Sequence, residues 1–174
     1  AAIARFVTLH PENLAQKAEI VVEHFREKIA SHVAGKAKAM VVCSSRPHAV
    51  RMWRQLKGYI TNQGYDLGVL VAFSDEIEGL TESKANGFSD KQTAKKFDTD
   101  DYQVLIVAEK FQTGFDQPLL HTMYVDKVLT GLNAVQTLSR LNRIHPDKKD
   151  TFVLDFRNET EDIQAAFAPW FERT

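Results

Sequence analysis

The chain has 174 residues, a formal net charge of −1, 44% hydrophobic residues and 26% charged residues. These values are typical of a globular domain with a sizeable core, and they exclude a uniformly basic nucleic-acid-binding protein. No apolar run reaches the roughly 20 residues of a membrane span, and the single Cys43 cannot form an internal disulfide, so we expect a cytoplasmic protein without a membrane segment.

In chain order, apolar runs and amphipathic segments alternate. The predicted helices cover residues 13–34, 47–62, 89–97 and 133–144, with a last helix from about Thr160. The predicted strands cover residues 39–43, 67–73, 103–108, 122–126 and 151–156. The polar segment 75–88 contains two glycines, so we predict a mobile loop whose glutamates are solvated.

This alternation predicts an α/β fold with a parallel sheet that is covered by helices on both faces. In such sheets the ligand site lies just beyond the carboxyl ends of the strands. Two polar clusters follow strands directly, Ser44-Ser45-Arg46 and the run from Thr113 to Asp116. We therefore expect both clusters at the carboxyl edge.

The first cluster, Ser44-Ser45-Arg46, precedes Pro47 at the start of a predicted helix. Free backbone amides and the helix dipole favour an anion there, so this cluster is a candidate phosphate site. The alternative is simple N-capping by Ser45.

The second cluster is Thr113-Gly114-Phe115-Asp116. Gly114 permits a backbone conformation that a side chain would block. Thr113 offers a hydroxyl to phosphate or sugar, and Asp116 can accept a hydrogen bond from a ribose hydroxyl. The alternative is a tight turn with a capping Asp and a core Phe.

The predicted helix 133–144 carries Gln136, Arg140 and Arg143 at i, i+4 and i+7, which predicts one shared face. Two arginine forks on one face suit the oxygens of a triphosphate. A solvated basic face is the alternative, and Gln136 also fits a capping box that starts at Asn133. A separate apolar stripe is predicted to face the sheet: Leu138, Leu141 and Ile144.

A phosphate-binding loop is not found. Gly35-Lys36 is the nearest candidate, but Ala30 and Ala37 stand where the motif needs Gly and Ser or Thr. None of the six histidines pairs with Cys or His at the usual spacing of metal ligands, so we predict no metal site.

Three stretches together resemble the helicase motifs of superfamily 2. "VVCSSRPHA" (41–49) resembles motif IV, "IVAEKFQTGFDQP" (106–118) resembles motif V, and "QTLSRLNR" (136–143) resembles motif VI. The amino-acid sequences of the last two stretches are similar to those of the motor (R) subunit of type I restriction enzymes. Ser139 stands where most superfamily 2 helicases have Gly, a departure that this subunit shares.

The resemblance implies a RecA-like helicase C-terminal domain over residues 1–174, which lacks its own phosphate loop and is part of a longer chain. In that family ATP and Mg²⁺ are bound mainly by the preceding RecA-like domain. By motif match, the catalytic residues would be Arg143, the arginine finger, and Arg140. The other matched positions are nucleotide-binding Gly114, Asp116 and Gln136, and DNA-binding Ser44, Ser45, Arg46 and Thr113.

The implied parent is a type I site-specific deoxyribonuclease that hydrolyses ATP while it translocates double-stranded DNA. Its implied partners are the first RecA-like and nuclease domains of the same chain and the modification and specificity subunits. The chain alone is expected to be inactive. The alternatives are the equivalent domain of another superfamily 2 translocase, and a non-catalytic nucleotide-binding or docking domain.

Overall fold

In a computed structural model, the described residues are 2–5, 13–108, 115–158 and four positions between 161 and 169. Among these residues, six parallel strands form one sheet in the order β1-β6-β5-β2-β4-β3. The strands are β1 (Ala2–Arg5), β2 (Lys38–Cys43), β3 (Val69–Ala72), β4 (Val104–Val107), β5 (Leu120–Asp126) and β6 (Phe152–Asp155).

Helices surround this sheet. They are α1 (Leu14–His24), the single turn α2 (His32–Gly35), α3 (Arg46–Gln63), α4 (Glu82–Asn86), α5 (Thr93–Phe97) and α6 (Gly131–Leu138). A π-helical segment (Phe25–Ile29) continues α1, and 3₁₀ turns precede α5 (Asp90–Gln92) and follow α6 (Ser139–Asn142). Within the part of the chain that the structure describes, no helix is long and apolar enough to cross a membrane.

The core lies on both faces of the sheet. Along β2, Val41 packs into one apolar cluster while Met40 and Val42 pack into the other, as expected for a pleated strand. Residues of α1 and α3 fill the first cluster, and residues of α5 and α6 fill the second. Every residue of β2 to β5 is buried, which confirms the predicted parallel sheet covered on both faces.

The ends of α3 follow the sequence signals closely. Ser45 accepts a hydrogen bond from the amide of His48 as the N-cap, and Pro47 lies in the first turn. Gly64 ends the helix in a left-handed conformation with φ 69°, which glycine adopts at little cost. The predicted helix 47–62 is therefore confirmed.

The first predicted helix, 13–34, is shorter and interrupted. Asn13 caps α1 as expected, with its side chain accepting from the amide of Gln16 at 3.0 Å. After the π-helical segment, Val33 and Ala34 have φ values of 51° and 55°, so the right-handed helix does not continue to Gly35. Strand β1 was not predicted, because four residues at the start of the chain carry too little periodic signal.

The predicted loop 75–88 is partly wrong, because it contains α4. Glu82 is buried and accepts hydrogen bonds from the amide of Phe73 and the hydroxyl of Thr93. The Asn86 side chain bonds to both the amide and the carbonyl of Val71, at 3.0 and 2.8 Å. These two side chains satisfy backbone groups along β3, which lies at the edge of the described sheet beside β4.

The predicted helix 133–144 is also wrong at its end. Regular helix stops at Leu138, a 3₁₀ turn follows, and Arg143 has extended backbone angles. Pro146 disfavours helical geometry at His145, which limits how far the helix can run. Leu138 and Leu141 are buried as expected, but Ile144 is 93% exposed. The predicted C-terminal helix from Thr160 lies almost entirely outside the described residues.

Candidate functional site

The carboxyl edge of the sheet holds a buried carboxylate, Asp126, at the end of β5. Its Oδ1 accepts from Lys17 Nζ at 2.8 Å and from Arg157 Nε at 2.9 Å, and its Oδ2 lies 2.8 Å from His48 Nε2. Burial alone would raise the pKa of Asp126, but the hydrogen bonds from His48, Lys17 and Arg157 outweigh it and lower the pKa to about 2. The carboxylate therefore stays charged at neutral pH.

His48 connects this buried carboxylate to the surface. Its Nδ1 lies 3.0 Å from the amide nitrogen of Ser44 and 2.9 Å from the Ser44 hydroxyl. Because a backbone N–H can only donate, Nδ1 accepts, and Nε2 carries the proton that His48 donates to Asp126. This chain of hydrogen bonds fixes the exposed Ser44 relative to the end of β5.

The other two residues of the first cluster already have partners in the domain. The Ser45 hydroxyl caps α3, which is the alternative reading of that serine. Arg46 Nη1 lies 2.7 Å from Oδ2 of Asp75 and 3.3 Å from the carbonyl of Ser74. Because Asp75 is 79% exposed, this ion pair is weak and can exchange for an anionic ligand.

A cleft of about 650 Å³ lies beside these residues, and two helix N-termini line it. Asn13 and Leu14 come from the start of α1, and Ser44, Ser45 and Pro47 come from the start of α3. Both helix ends present partial positive charge, although Asn13 and Ser45 already accept hydrogen bonds from the amides of Gln16 and His48. The cleft therefore has the electrostatics of a phosphate-binding surface.

Sequence reasoning missed three basic side chains of this cleft: His48, Arg51 and Arg157. Arg51 is held by Glu78, with its Nη2 2.6 Å from Oε1, and Arg157 is held by Asp126. Arg51 lies four residues beyond Pro47 on the same helix, so helical spacing could have pointed to it. Nothing local marks Arg157, which lies 94 positions after the end of α3 at Gln63.

Asp116 and Arg143 meet, although the sequence separates them by 27 positions. Arg143 Nε lies 3.0 Å from Oδ1 of Asp116, and both side chains remain about 60% exposed. The contact joins the second polar cluster to the end of the segment that resembles motif VI. A surface ion pair of this kind contributes about 0–1 kcal/mol, so Arg143 can leave it easily.

The expected position of Asp116 at the carboxyl edge is wrong. A parallel connection must return to the opposite edge of the sheet before the next strand begins. At Asp116 the chain is already close to the amino edge. Three residues later, the carbonyl of Leu119 accepts a hydrogen bond from the amide of Lys38 at the start of β2. The two predicted ligand sites thus occupy different regions of the domain. Thr113 and Gly114 lie outside the described residues.

Gln136, Arg140 and Arg143 do not share one helical face. Gln136 is exposed on α6, whereas Arg140 is 9% exposed, with Nη1 3.5 Å from the sulfur of Met40. Burial lowers the pKa of Arg140 to about 10, and its Nη2 has no hydrogen-bond partner among the described residues. The change from helix to 3₁₀ turn after Leu138 alters the angular spacing and separates the two arginines.

A cluster of possible metal ligands lies elsewhere, near the amino ends of the strands. His32, His121 and Asp150 each bring one ligand atom within 4.8 Å of the others. These residues are far apart in the chain, and a search for closely spaced ligands does not find them.

Comparison with known proteins finds similarity to restriction-enzyme subunits. Residues 81–158 match the family described as type I restriction enzyme subunit R domain 3. The chain is 27% identical over 177 residues to a putative type I restriction enzyme endonuclease subunit, MjaIXP, of Methanocaldococcus jannaschii. It is also 27% identical over 167 residues to the HindI endonuclease subunit of Haemophilus influenzae. These alignments cover 94% and 89% of the chain, which spans 16% of each relative.

Among solved structures, the C-terminal domain of the DEAD-box protein Dbp5 is similar, with a TM-score of 0.58 and 13% identity. The match covers 99% of this chain and 86% of that one. At this identity the likeness establishes the fold. The chain is therefore similar in sequence to the endonuclease (R) subunits of type I restriction enzymes, and it has the RecA-like fold of a helicase C-terminal domain.

Proposed function

We propose that the chain is the second motor domain of an ATP-dependent DNA translocase of the type I restriction enzyme kind. It closes over ATP and Mg²⁺ that are bound on a preceding RecA-like domain, supplies arginines to the phosphates, and holds the DNA backbone. The observation that carries the proposal is the contact between Arg143 and Asp116, which joins the motif V and motif VI stretches at the protein surface.

On the nucleotide side, Arg143 is the proposed arginine finger. When ATP arrives, its guanidinium would leave Asp116 for the γ-phosphate, and Asp116 would be free to accept from the ribose. The Nη2 atom of Arg140, which has no partner among the described residues, would gain a phosphate oxygen. Gln136 and Gly114 complete the proposed nucleotide-binding residues.

On the DNA side, the cleft between the starts of α1 and α3 would bind backbone phosphates. The Ser44 hydroxyl, the amides at the start of α3 and Arg46 are the proposed contacts, and Thr113 is a further proposed contact. Arg51 and Arg157 add positive charge to the same cleft. These groups recognise phosphate and not base edges, so binding would be indifferent to sequence and sensitive to salt.

The test of the DNA side uses the full-length protein with Ser44 and Arg46 both changed to Ala. DNA-stimulated ATPase should fall more than basal ATPase, because the basal reaction does not need the DNA contact. Lys149→Ala, at an exposed position outside the cleft, is the control and should leave both rates unchanged. Equal loss of the two rates would count against a DNA-binding role for this cleft.

A second candidate is a docking domain that contacts other parts of a restriction complex. Three large apolar side chains favour it, because Val128, Leu132 and Ile144 are 61%, 59% and 93% exposed. The modification and specificity subunits and the nuclease domain are the proposed partners. The docking function alone predicts that Arg140 and Arg143 are dispensable for ATPase, which separates it from the motor function.

A further inference from the structure

We propose that His32, His121 and Asp150 form a binding site for a zinc ion or a similar divalent transition-metal ion. The three side chains come from the turn α2, the start of β5 and the segment before β6. This places them at the amino edge of the sheet, opposite the Ser44–His48–Asp126 chain of hydrogen bonds. The proposed ion is therefore separate from the cleft between the starts of α1 and α3.

The distances between the ligand atoms suit a single ion. Oδ1 of Asp150 lies 2.9 Å from Nε2 of His121 and 3.5 Å from Nδ1 of His32. Ligands on one tetrahedral zinc, with bonds of 2.0–2.2 Å, lie about 3.3 Å apart. Both distances to Asp150 are close to this spacing, and all three ligand atoms lie within 4.8 Å of one another, so binding an ion requires only small side-chain movements.

The ligand types also fit. Two imidazole nitrogens and one carboxylate oxygen are a common set for zinc, with the fourth position left to water or another group. Asp150 has 63% of its side chain exposed and His32 has 39%, while His121 has 2%. One side of the site is therefore anchored in the core, and the other is open for an ion to enter.

Thr122 orients the buried histidine. Its hydroxyl oxygen lies 2.7 Å from Nδ1 of His121, and Thr122 itself is fully buried. When Nδ1–H donates to this oxygen, Nε2 is left with a free lone pair that points at Asp150. Metal-binding histidines usually hold their second nitrogen in this way.

Without a metal, the same atoms can form hydrogen bonds, with His121 Nε2–H donating to Asp150. The rings of His32 and His121 also lie close together, with centroids 4.5 Å apart. A hydrogen bond between His121 and Asp150 does not by itself bring His32 to this position. A bound ion would join α2 to the starts of β5 and β6. We infer a stabilising role for it, since it would connect three segments that are distant in the sequence.

The test is zinc binding by the full-length protein, measured by competition with a chromophoric chelator and by metal analysis after gel filtration. Wild type is compared with the variants His32→Ala and Asp150→Ala, whose sites are partly exposed and should fold. Each variant should lose one zinc per chain, with affinity reduced by more than about 100-fold. Thr122→Val, which keeps the shape of the side chain, should weaken binding by about 10–100-fold.

His145→Ala is the matched control, because His145 lies outside the cluster and should keep full affinity. Co²⁺ should produce visible absorption bands of a tetrahedral site in wild type but not in His32→Ala. Zinc should also raise the melting temperature of wild type but not that of Asp150→Ala. Equal zinc content and affinity in wild type, His32→Ala and Asp150→Ala would show that the three side chains form a hydrogen-bonded cluster only, and would overturn the proposal.

Discussion

The Nζ atom of Lys17 in α1 lies 2.8 Å from Oδ1 of Asp126 at the end of β5, and neither side chain is exposed. Removal of one member of a buried ion pair leaves the other charge without compensation and costs about 3–5 kcal/mol. We therefore predict that Asp126→Asn lowers the melting temperature of the chain by about 10 °C. Differential scanning calorimetry of the purified chain measures this.

The control for Asp126→Asn is Asp75→Asn, which removes the exposed partner of Arg46. Asp75 has φ 64°, and Asn tolerates this backbone conformation well. Its melting temperature should stay close to that of wild type. If the two variants melted alike, the pair of Lys17 and Asp126 would not stabilise the fold in the way described.

The second prediction concerns the free energy of unfolding at acidic pH. The pKa of Asp126 is about 2 in the folded chain, below its ordinary value, so the folded carboxylate holds its charge when the unfolded one begins to protonate. Its contribution of about 2 kcal/mol is present above pH 4 and is lost as the pH falls from 4 to 2. Urea unfolding between pH 2 and 7 should show this loss in wild type. The same slope in Asp126→Asn would contradict the assignment.

Short apolar runs were enough to predict five of the six strands, because buried parallel strands leave a continuous hydrophobic signal in the sequence. The loop 75–88 shows where such reasoning fails. Glu82 sits in a polar segment, yet its carboxylate is buried because the edge of β3 offers it an amide at Phe73. Only the tertiary structure reveals that this polar residue has a buried partner.

Glu82 therefore supports a third prediction. Glu82→Ala removes the acceptor of the Phe73 amide and of the Thr93 hydroxyl, which should cost about 2–4 kcal/mol. Hydrogen exchange at Val71 and Phe73 should accelerate. Glu76→Ala, on an exposed residue of the same segment, should change stability by less than about 0.5 kcal/mol. Equal effects of the two changes would mean that the segment is the mobile loop that its composition suggests.

Arg140 supports a fourth prediction, in which stability and activity change in opposite directions. Its buried guanidinium has one nitrogen without a partner among the described residues, and such a group costs about 1–3 kcal/mol. Arg140→Met removes this cost with a side chain of similar length. The melting temperature should hold or rise by a few degrees, while DNA-stimulated ATPase of the full-length protein should be lost. A variant that fails to fold would assign Arg140 a structural role.

The candidate site was only partly predictable, for a physical reason. Ser44, Ser45 and Arg46 follow a strand directly, so the rule that ligands bind at the carboxyl edge locates them. The contacts that hold this cluster in place join residues that are distant in the sequence: His48, Asp126 and Lys17. Hydrophobic periodicity carries no information about such contacts. Arg143 was assigned by motif, but its ion pair with Asp116 depends on where the helix ends.

The most direct test of the motor function is the ATPase rate of the full-length protein with Arg143→Ala. Arg143 is exposed, and among the described residues it forms a surface ion pair with Asp116, so its loss should leave folding and DNA binding nearly unchanged. An arginine finger stabilises charge that develops in the transition state, and its removal should reduce turnover by about 10³–10⁵-fold. Arg143→Lys should recover little of this, because an ammonium group cannot reproduce the planar fork.

Lys149→Ala is the control for Arg143, because Lys149 is exposed. Lys148 would be a poor choice, since its Nζ bonds to the carbonyls of Leu120 and Leu141. The account predicts ATPase near zero in Arg143→Ala and wild-type ATPase in Lys149→Ala, with equal melting temperatures. ATPase within a few-fold of wild type in Arg143→Ala would contradict the motor function and favour the docking domain.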